Sequence, residues 1–333
     1  MKIILADAVE GLRRIPAESI NTVVTSPPYY GLRDYGVDGQ IGLEKSSTEY
    51  IARLVEVFRE VWRVLKPDGT VWVVIGDSYA HDSKWGGSSG GKHAKALHGN
   101  TGIGRTRTTT GLKEKDLIGI PWMFAFAMRD DGWWLRQDIV WAKPNPMPES
   151  VRDRCTRSHE YIFMFSKSRK YYFDGEAISE PTAESTTKRL AQNIDAQTGS
   201  ARVPGKTNGP MKAVAPRYGG NKYTATPDKF YRTKSGNAYD YRPRRNKRDV
   251  WTVTTRGYKG AHFATFPPDL IRPCVLAGCP EGGVVLDPFC GSGTTLQVAR
   301  ECGRDGVGIE LNKEYLSLIV NRVGDIEVED TDG

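Results

Sequence analysis

Four consecutive residues near the start of the chain, Ser26-Pro27-Pro28-Tyr29, combine groups suited to holding a planar amine. Two successive prolines fix two φ angles and remove two N–H donors, so the local carbonyls point outward from a rigid turn. Carbonyl and hydroxyl oxygens can accept hydrogen bonds from an amine, while the aromatic ring stacks on the face of the molecule that carries it. Taken alone, the segment fits a rigid turn with a packed tyrosine about as well.

A second loop, at residues 285–295, has the composition of a nucleoside-cofactor site. Asp287 precedes a turn containing Gly291 and Gly293, which let the backbone approach a ligand and open the following helix. Glu310 lies 23 residues beyond Asp287, at the end of the next predicted strand, where an acid can accept hydrogen bonds from a ribose. No Gly-Lys-Ser/Thr sequence follows the glycines, which excludes a P-loop. We therefore expect a nucleoside cofactor here.

Short apolar strands alternate with helices around these two loops. The predicted strands lie at residues 2–6, 22–25, 70–75, 138–141, 161–165, 284–286 and 306–309. Apolar residues recur at helical spacing between Ser47 and Lys66, and residues 9–13, 294–302 and 312–322 also fit helices. The alternation predicts an α/β fold with a doubly wound, mostly parallel, seven-stranded Rossmann-like sheet. Ligands bind beyond the carboxyl ends of the strands in such sheets, where both loops lie.

Positive charge is concentrated in two stretches without regular periodicity. Residues 201–248 contain thirteen Lys and Arg against two Asp, an excess larger than the +7 of the whole chain, and six aromatic residues are interleaved. Residues 84–115 carry seven Lys and Arg against Glu114 alone. Basic, aromatic loops beside a net acidic remainder fit contact with a nucleic-acid backbone better than plain disorder.

Composition also argues against several classes of protein. The five cysteines form no Cys-x-x-Cys pair and have no histidine at metal-ligand spacing, so we expect reduced thiols and no metal site. No stretch approaches 18 apolar residues, which argues against a membrane protein. The N-terminal sequence reaches Asp7 too early for the apolar core of a signal peptide. A cytoplasmic location in a bacterium, or in a phage-infected host, is expected.

Together, the two loops resemble those of the amino-group DNA methyltransferases. That family carries [Asp/Asn/Ser]-Pro-Pro-[Tyr/Phe/Trp] at its catalytic loop and Asp-Pro-Phe-x-Gly-x-Gly-Thr-Thr at its cofactor loop, and both motifs match here without a gap. The catalytic loop comes first and the cofactor loop last, an order similar to that of the β group. Residues 141–146 (WAKPNP) resemble the family's substrate-side loop, and residues 262–267 (HFATFP) resemble the segment that precedes the cofactor loop.

The resemblance implies a role for each matching residue and S-adenosylmethionine as the cofactor. Ser26 and the Pro27 carbonyl would accept the hydrogens of the target amine, Pro28 would keep the loop rigid, and Tyr29 would stack on a flipped base. The residues implied in cofactor binding are Asp7, Ala8, Phe266, Asp287, Pro288, Phe289, Gly291, Ser292, Gly293, Thr294 and Glu310. The candidate DNA contacts are Lys143, Arg244 and Arg245.

Serine at the first motif position resembles the cytosine-N4 enzymes, whereas Asp or Asn there is found mostly in adenine-N6 enzymes. Cytosine-N4 methylation is therefore the favoured activity, with adenine-N6 methylation as the alternative. An RNA methyltransferase, a protein-glutamine methyltransferase and a DNA-binding protein without catalysis are less consistent with the order and integrity of the two loops. The serine does not alter the resemblance to the family and bears only on which base is methylated.

The resemblance also divides the chain and suggests its partners. Residues 1–175 form the catalytic half of the methyltransferase domain, with the basic loop 82–115, and residues 176–250 form a target-recognition region. Residues 251–325 form the cofactor-binding half, and residues 326–333 are expected to be a tail. Double-stranded DNA is the expected partner, while a homodimer and a cognate restriction enzyme stay open.

Overall fold

A nine-stranded sheet organises the part of the chain that the computed structural model describes, residues 1–31, 37, 39–80, 112–185, 244–255 and 266–330. The strands in chain order are β1 (Lys2–Leu5), β2 (Ile20–Thr25), β3 (Leu65–Ile75), β4 (Trp134–Ala142), β5 (His159–Ser166), β6 (Glu180–Pro181), β7 (Arg244–Arg245), β8 (Val250–Thr252), β9 (Val284–Asp287), β10 (Asp305–Glu310) and β11 (Glu327–Asp330). Strands β6 and β7 pair only with each other, and the other nine form the sheet.

The order of strands across the sheet is β11-β1-β10-β9-β2-β3-β5-β4-β8. Within it β5 is antiparallel to β3 and β4, and every other neighbouring pair is parallel. The predicted mostly parallel α/β fold is confirmed, and all seven predicted strands are present. The count of seven is corrected to nine because β8 and β11 add an edge strand on either side, and β11 occupies residues that were expected to be a tail.

Helices cover both faces of the sheet, as a doubly wound fold requires. Within the described ranges the helices are α1 (Ala8–Arg13), α2 (Ser47–Val64), α3 (Ile120–Asp130), α4 (Pro268–Gly278), α5 (Thr294–Glu301) and α6 (Leu316–Val323), with a 3-10 turn at Lys313–Tyr315. Helix α2 contacts α1 and α3, and α5 contacts α4 and α6. The Ser46 hydroxyl caps α2 by accepting from the Glu49 N–H at 3.2 Å.

Burial in the core explains why the strand sequences are nearly continuous runs of apolar residues. Trp72 on β3 and Phe163 and Phe165 on β5 are almost completely buried, and Phe58 of α2 packs on Phe124 of α3 with ring centroids 5.2 Å apart. Strands buried on both faces have no polar face to alternate with. This burial fixes the positions of the strand ends, from which the two motif loops emerge.

Neighbouring strands bring the two motif loops side by side although they are far apart in the sequence. In the register of β2 and β9, Thr22 pairs with Val285 and Val23 with Leu286. Both strands run in the same direction, so the loop that begins at Ser26 and the loop that begins at Pro288 leave the same edge of the sheet. The predicted placement of both loops beyond the carboxyl ends of the strands is confirmed.

The described residues divide into two compact units. The first consists of Met1–Ala177 with Arg248–Gly333, and the second of Ile178–Lys247, where β6 and β7 pair. Most of the two basic stretches, and residues 262–265, lie outside the described residues. None of the described helices is long and apolar enough to cross a membrane.

Candidate active site

A cavity of about 710 Å³ lies at the edge of the sheet where the parallel strands end. Its walls come from the loops that follow β1, β2, β4, β9 and β10, and from the start of the antiparallel strand β5. This volume is within the range of about 300–1,000 Å³ that is usual for small-molecule sites. The cavity can therefore hold a cofactor next to part of a substrate.

The first motif loop forms one wall and is held at two points. The Pro28 carbonyl accepts a hydrogen bond of 2.7 Å from the Tyr50 hydroxyl of α2, and the Tyr29 hydroxyl donates to Glu160 Oε2 at 2.7 Å. Burial raises the pKa of Tyr29 well above its usual range, the charge of Glu160 raises it further, and a hydrogen bond from the Ser26 side chain lowers it. Tyr29 is therefore a neutral phenol that donates to Glu160.

Gly76, directly after β3, lies against the ring of Tyr29. A Cβ added at this position would lie 2.6 Å from Cε2 of Tyr29, closer than carbon atoms can approach. Only glycine lets the ring lie so close to the backbone of the neighbouring loop. The ring is thus fixed by Gly76 at its edge and by Glu160 at its hydroxyl.

Asp287 links the second motif loop to the first. Its carboxylate is buried and accepts from the hydroxyls of Thr25 and Thr295, each at 2.6 Å, and from the Phe289 N–H at 3.1 Å. Burial raises the pKa of Asp287 to about 6, although the three hydrogen bonds lower it. Because Thr25 directly precedes Ser26, this carboxylate fixes the relative position of the two loops.

Glu310, at the end of β10, is the second buried acid of the site. Its oxygens accept from the N–H groups of Gly291 at 2.7 Å and Asn312 at 2.9 Å. Burial raises the pKa of Glu310 to about 7, against the effect of these hydrogen bonds. A carboxylate oxygen can accept more than one hydrogen bond, so both oxygens keep capacity for the two hydroxyls of a ribose.

The glycine-rich turn between the two acids depends on backbone conformations that glycine adopts readily. Gly291 has φ +54° and Gly293 has φ +79°, and Gly293 is the N-cap of α5. Arg322 of α6 donates to the hydroxyls of Ser292 and Thr294. The turn is therefore held in place from α6 as well as by Glu310.

Asp7 and Phe266 line the same cavity from other directions. Asp7 caps α1 by accepting from the Val9 N–H at 2.9 Å, so the end of β1 and the start of the helix are fixed together. Phe266 lies two residues before α4 begins and lines the cavity. An acid and an aromatic ring on one cavity are the groups that an adenosine could use, for hydrogen bonds and for stacking.

Lys143 and Glu160 form an ion pair in the wall of the cavity. Lys143 follows β4, Glu160 is the second residue of β5, and the Lys143 ammonium donates to Glu160 Oε1. Both side chains are only 17% exposed. The ammonium also lies 4.2 Å from the centroid of the Trp141 ring, a cation–π contact.

Most of the residues singled out in the sequence line this one cavity. Those that do are Asp7, Ala8, Ser26, Pro27, Pro28, Tyr29, Lys143, Phe266, Asp287, Pro288, Phe289, Gly291, Ser292, Thr294 and Glu310. Gly293 is not in its lining and acts through the turn into α5. Arg244 and Arg245 belong to the second unit, where Arg244 donates to Ser179 at 2.6 Å and Arg245 pairs with Glu180 at 3.5 Å.

Several residues of the site were missed in the sequence. No sequence motif assigns a role to the residues concerned, which are Glu160, Tyr50, Gly76, Thr25, Thr295 and Arg322. Their contacts join segments that are distant in the chain, as when Tyr29 and Glu160 meet across 131 residues. The one available signal was a carboxylate at the start of a buried strand, since an acid in that position needs a partner.

Comparison with known proteins agrees with the motif loops. The family model described as DNA methylase, of the N6/N4 methyltransferases, matches residues 20–321. The Type II methyltransferase M.Cfr9I of Citrobacter freundii is 45% identical over 326 residues, covering 98% of this chain and 87% of that protein.

Two solved structures share the fold. The cytosine-N4-specific PvuII DNA methyltransferase has a TM-score of 0.58 at 18% identity, covering 97% of this chain and 86% of that one. A candidate DNA modification methylase from Thermus thermophilus, solved with S-adenosyl-L-methionine, has a TM-score of 0.56 at 21% identity, covering 99% of this chain and 98% of that one.

Proposed function

The chain belongs to the N6/N4 family of DNA methylases, and on that premise we propose that it methylates the N4 amine of cytosine in duplex DNA. Its methyl donor, as family membership implies, is S-adenosylmethionine. The observation that carries the proposal is the position of Ser26, which opens a rigid loop on the same cavity as the cofactor loop.

The side chains and backbone groups on the cofactor side of the cavity match the parts of S-adenosylmethionine. Glu310 keeps acceptor capacity for the ribose hydroxyls, Asp7 and Phe266 suit the adenine, and the turn at Gly291 lets the backbone approach the methionine part. Once bound, the cofactor supplies an electrophilic methyl group on a sulfonium. We also assign Asp287 to holding the two loops in register, because it accepts from Thr25, just before the first loop, and from Thr295 in the second.

Ser26 and the Pro27 carbonyl make the amine a better nucleophile. The lone pair of an exocyclic amine is delocalised into the base, and two acceptors on its hydrogens favour the tetrahedral geometry that frees the pair. A hydroxyl oxygen has two lone pairs, so Ser26 can accept a hydrogen bond from the amine. Tyr29, fixed by Gly76 and Glu160, provides a ring on which the base stacks.

The target base must leave the duplex to reach this cavity, at a cost of a few kcal/mol. Stacking on an aromatic ring contributes roughly 1–3 kcal/mol per base and so offsets much of that cost. We assign phosphate contacts to the basic region 176–250, which also carries target recognition in this proposal.

The serine favours cytosine over adenine. A hydroxyl has no negative charge and a shorter reach than a carboxylate, which suits the smaller pyrimidine, and the PvuII enzyme with the same fold is cytosine-N4-specific. The similarity to M.Cfr9I, a Type II methyltransferase, supports a cognate restriction endonuclease and a bacterial cytoplasmic setting. A homodimer stays a prediction.

Replacing Ser26 by Ala tests the activity directly. Loss of one transition-state acceptor should lower kcat by about 10²–10³, while the affinity for S-adenosylhomocysteine is unchanged. Methylated duplex DNA is digested and its nucleosides are identified by mass spectrometry. The control is Ser19→Ala, since Ser19 flanks the same strand at its other end and donates to the Pro16 carbonyl.

The methylated nucleoside found by mass spectrometry distinguishes the candidate activities. N4-methylcytosine that only Ser26→Ala abolishes supports the proposal. N6-methyladenine would retain the family and overturn the choice of base. Absence of both from varied DNA would overturn the assignment of DNA as substrate.

A further inference from the structure

Three side chains in series connect the first motif loop to the far wall of the cavity. Tyr29 donates to one oxygen of Glu160, Lys143 donates to the other, and all three residues line the cavity. The resemblance of residues 141–146 to the family's substrate-side loop makes Lys143 a candidate DNA contact, and its surroundings indicate which part of the nucleotide it meets.

The ion pair makes Lys143 a poor phosphate ligand. Affinity for phosphates comes from uncompensated, solvent-accessible positive charge that displaces counterions. Here the ammonium is mostly buried and its charge is balanced by Glu160. Moving it outward to a phosphate would leave the Glu160 carboxylate partly buried without its cation, which is costly.

The ammonium nevertheless keeps donor capacity inside the cavity. An ammonium has three N–H donors, of which one is used by Glu160, while the Trp141 ring attracts the charge without accepting an ordinary hydrogen bond. The Trp141 ring is itself fixed, because its N–H donates to the Val253 carbonyl at 2.8 Å. The geometry is that of a preorganised donor next to the aromatic ring that receives the base.

We propose that Lys143 donates to the acceptor edge of the flipped base, with Glu160 as the positioning residue for both Lys143 and Tyr29. The proposal rests on the proposed function. In cytosine, the amine is followed around the ring by N3 and then O2, which are both acceptors. In guanine and thymine the ring nitrogen at the equivalent position carries a hydrogen, so a donor there disfavours both bases.

Glu160 also suits the chemistry of the methyl transfer. The base gains positive charge as its amine attacks the methyl group, and an isolated ammonium beside it would oppose that change. Because Glu160 balances Lys143, the pair supplies a hydrogen-bond donor with little net charge. This combination explains why a cation and an anion occupy the same wall of the cavity.

Duplexes with and without the target base separate a base contact from a phosphate contact. Lys143→Met keeps an unbranched side chain as far as Cε and removes the ammonium donor. Its Kd for a duplex that contains the mapped target cytosine should rise about tenfold, while its Kd for the same duplex with an abasic target should match that of the wild type. The control is Lys2→Met, which removes a lysine from an ion pair with Glu329, outside both basic stretches and outside the cavity lining.

Glu160→Gln tests the positioning role. Its amide oxygen can still accept from Tyr29, so the fold should survive, but Lys143 loses its anion. We expect kcat to fall about tenfold and the cytosine-dependent part of the binding to weaken, with no change in affinity for S-adenosylhomocysteine. A general loss of structure would lower that affinity as well.

Two results would overturn the base contact. One is an equal loss of affinity by Lys143→Met on the cytosine and abasic duplexes, together with a shallower salt dependence, which indicates a phosphate contact. The other is no loss on either duplex. If the wild type proves to methylate adenine, the proposed function fails, and the same comparison made at that adenine still tests Lys143 separately.

Discussion

Two buried carboxylates on the cofactor side, Asp287 and Glu310, have different partners and therefore different roles. Asp287 accepts from the hydroxyls of Thr25, just before the first motif loop, and Thr295, in the second, whereas Glu310 accepts only backbone N–H groups in the described residues around it. Burial raises the pKa of Asp287 to about 6 and that of Glu310 to about 7. Glu310 is therefore the acid whose ionisation should affect the binding of a ribose.

Cofactor affinity should therefore depend on pH through Glu310. Two ribose hydroxyls donate to the ionised carboxylate, so binding should strengthen as pH rises through about 7 and level off above it. One pH unit below that value about a tenth of the carboxylate is ionised, and we expect Kd for S-adenosylhomocysteine to be roughly tenfold weaker at pH 6 than at pH 8. Calorimetric titration measures both values.

Glu310→Gln provides the comparison, since an amide does not titrate. Its Kd should be weaker than that of the wild type at pH 8 and nearly constant between pH 6 and 8. Glu314→Gln, at an exposed position four residues further on, should leave the pH dependence unchanged. An unchanged pH dependence in Glu310→Gln would show that another group is responsible.

At the scale of elements, the active site depends on how closely β3 approaches the loop after β2. Gly76→Ala would place a methyl group 2.6 Å from the Tyr29 ring, whose hydroxyl is already held by Glu160. Overpacking of this kind costs about 1–3 kcal/mol, and the ring must shift. We expect kcat to fall more than tenfold while S-adenosylhomocysteine still binds.

The matched control is Gly175→Ala, where the nearest atom, in Phe173, lies 3.4 Å from the added Cβ. Its activity should equal that of the wild type, and its melting temperature should change little. Wild-type activity in Gly76→Ala would mean that the ring position is not important for transfer.

The elements that sequence reasoning identified are those with a strong local signal. Continuous apolar strands and the long amphipathic α2 can be recognised in the sequence. Strand β11 cannot, because it is a short polar strand (EVED) on an edge of the sheet. Helix α4 contains Pro273 and begins at prolines, residues that usually mark breaks. Helix α3 is apolar on most sides, which hides its period.

The residues of the site could likewise be predicted only where the local sequence signal is strong. Motif residues could be named in advance because their types and order are informative together, but Glu160 could not. A single glutamate at the start of a strand is ordinary until the antiparallel β5 brings it to the carboxyl ends of its neighbours. Only the sheet topology supplies that information.

At the scale of the whole molecule, charge is unevenly distributed between the two units. The thirteen basic residues of 201–248 fall almost entirely in the second unit, and the rest of the chain is net acidic. Such a distribution predicts that non-specific attraction for DNA comes mainly from the second unit, with the basic stretch 84–115 of the first unit as a smaller contribution. Arg244 and Arg245 are the members of this region in β7.

The double variant Arg244→Gln/Arg245→Gln tests whether these residues contact DNA, through the salt dependence of the affinity for DNA. Each phosphate contact contributes about 0.9 to the slope of log K against log salt, so the slope should become shallower by about one to two. The control Arg53→Gln/Arg59→Gln removes the same charge from α2 and should keep the wild-type slope. Equal slopes in both double variants would remove Arg244 and Arg245 from the DNA contact surface.

The hydrogen bond between Thr25 and Asp287 spans 262 residues of chain, so the protein cannot become active until most of the chain has been synthesised. At roughly 5–20 residues per second, tens of seconds pass between the emergence of the two partners from the ribosome. Until β9 is made, β2 lacks one of its neighbours and is an open edge that can pair wrongly. Nascent chains interrupted in this interval should be inactive and prone to aggregation, so demand for chaperones should be greatest just before residue 287 is translated.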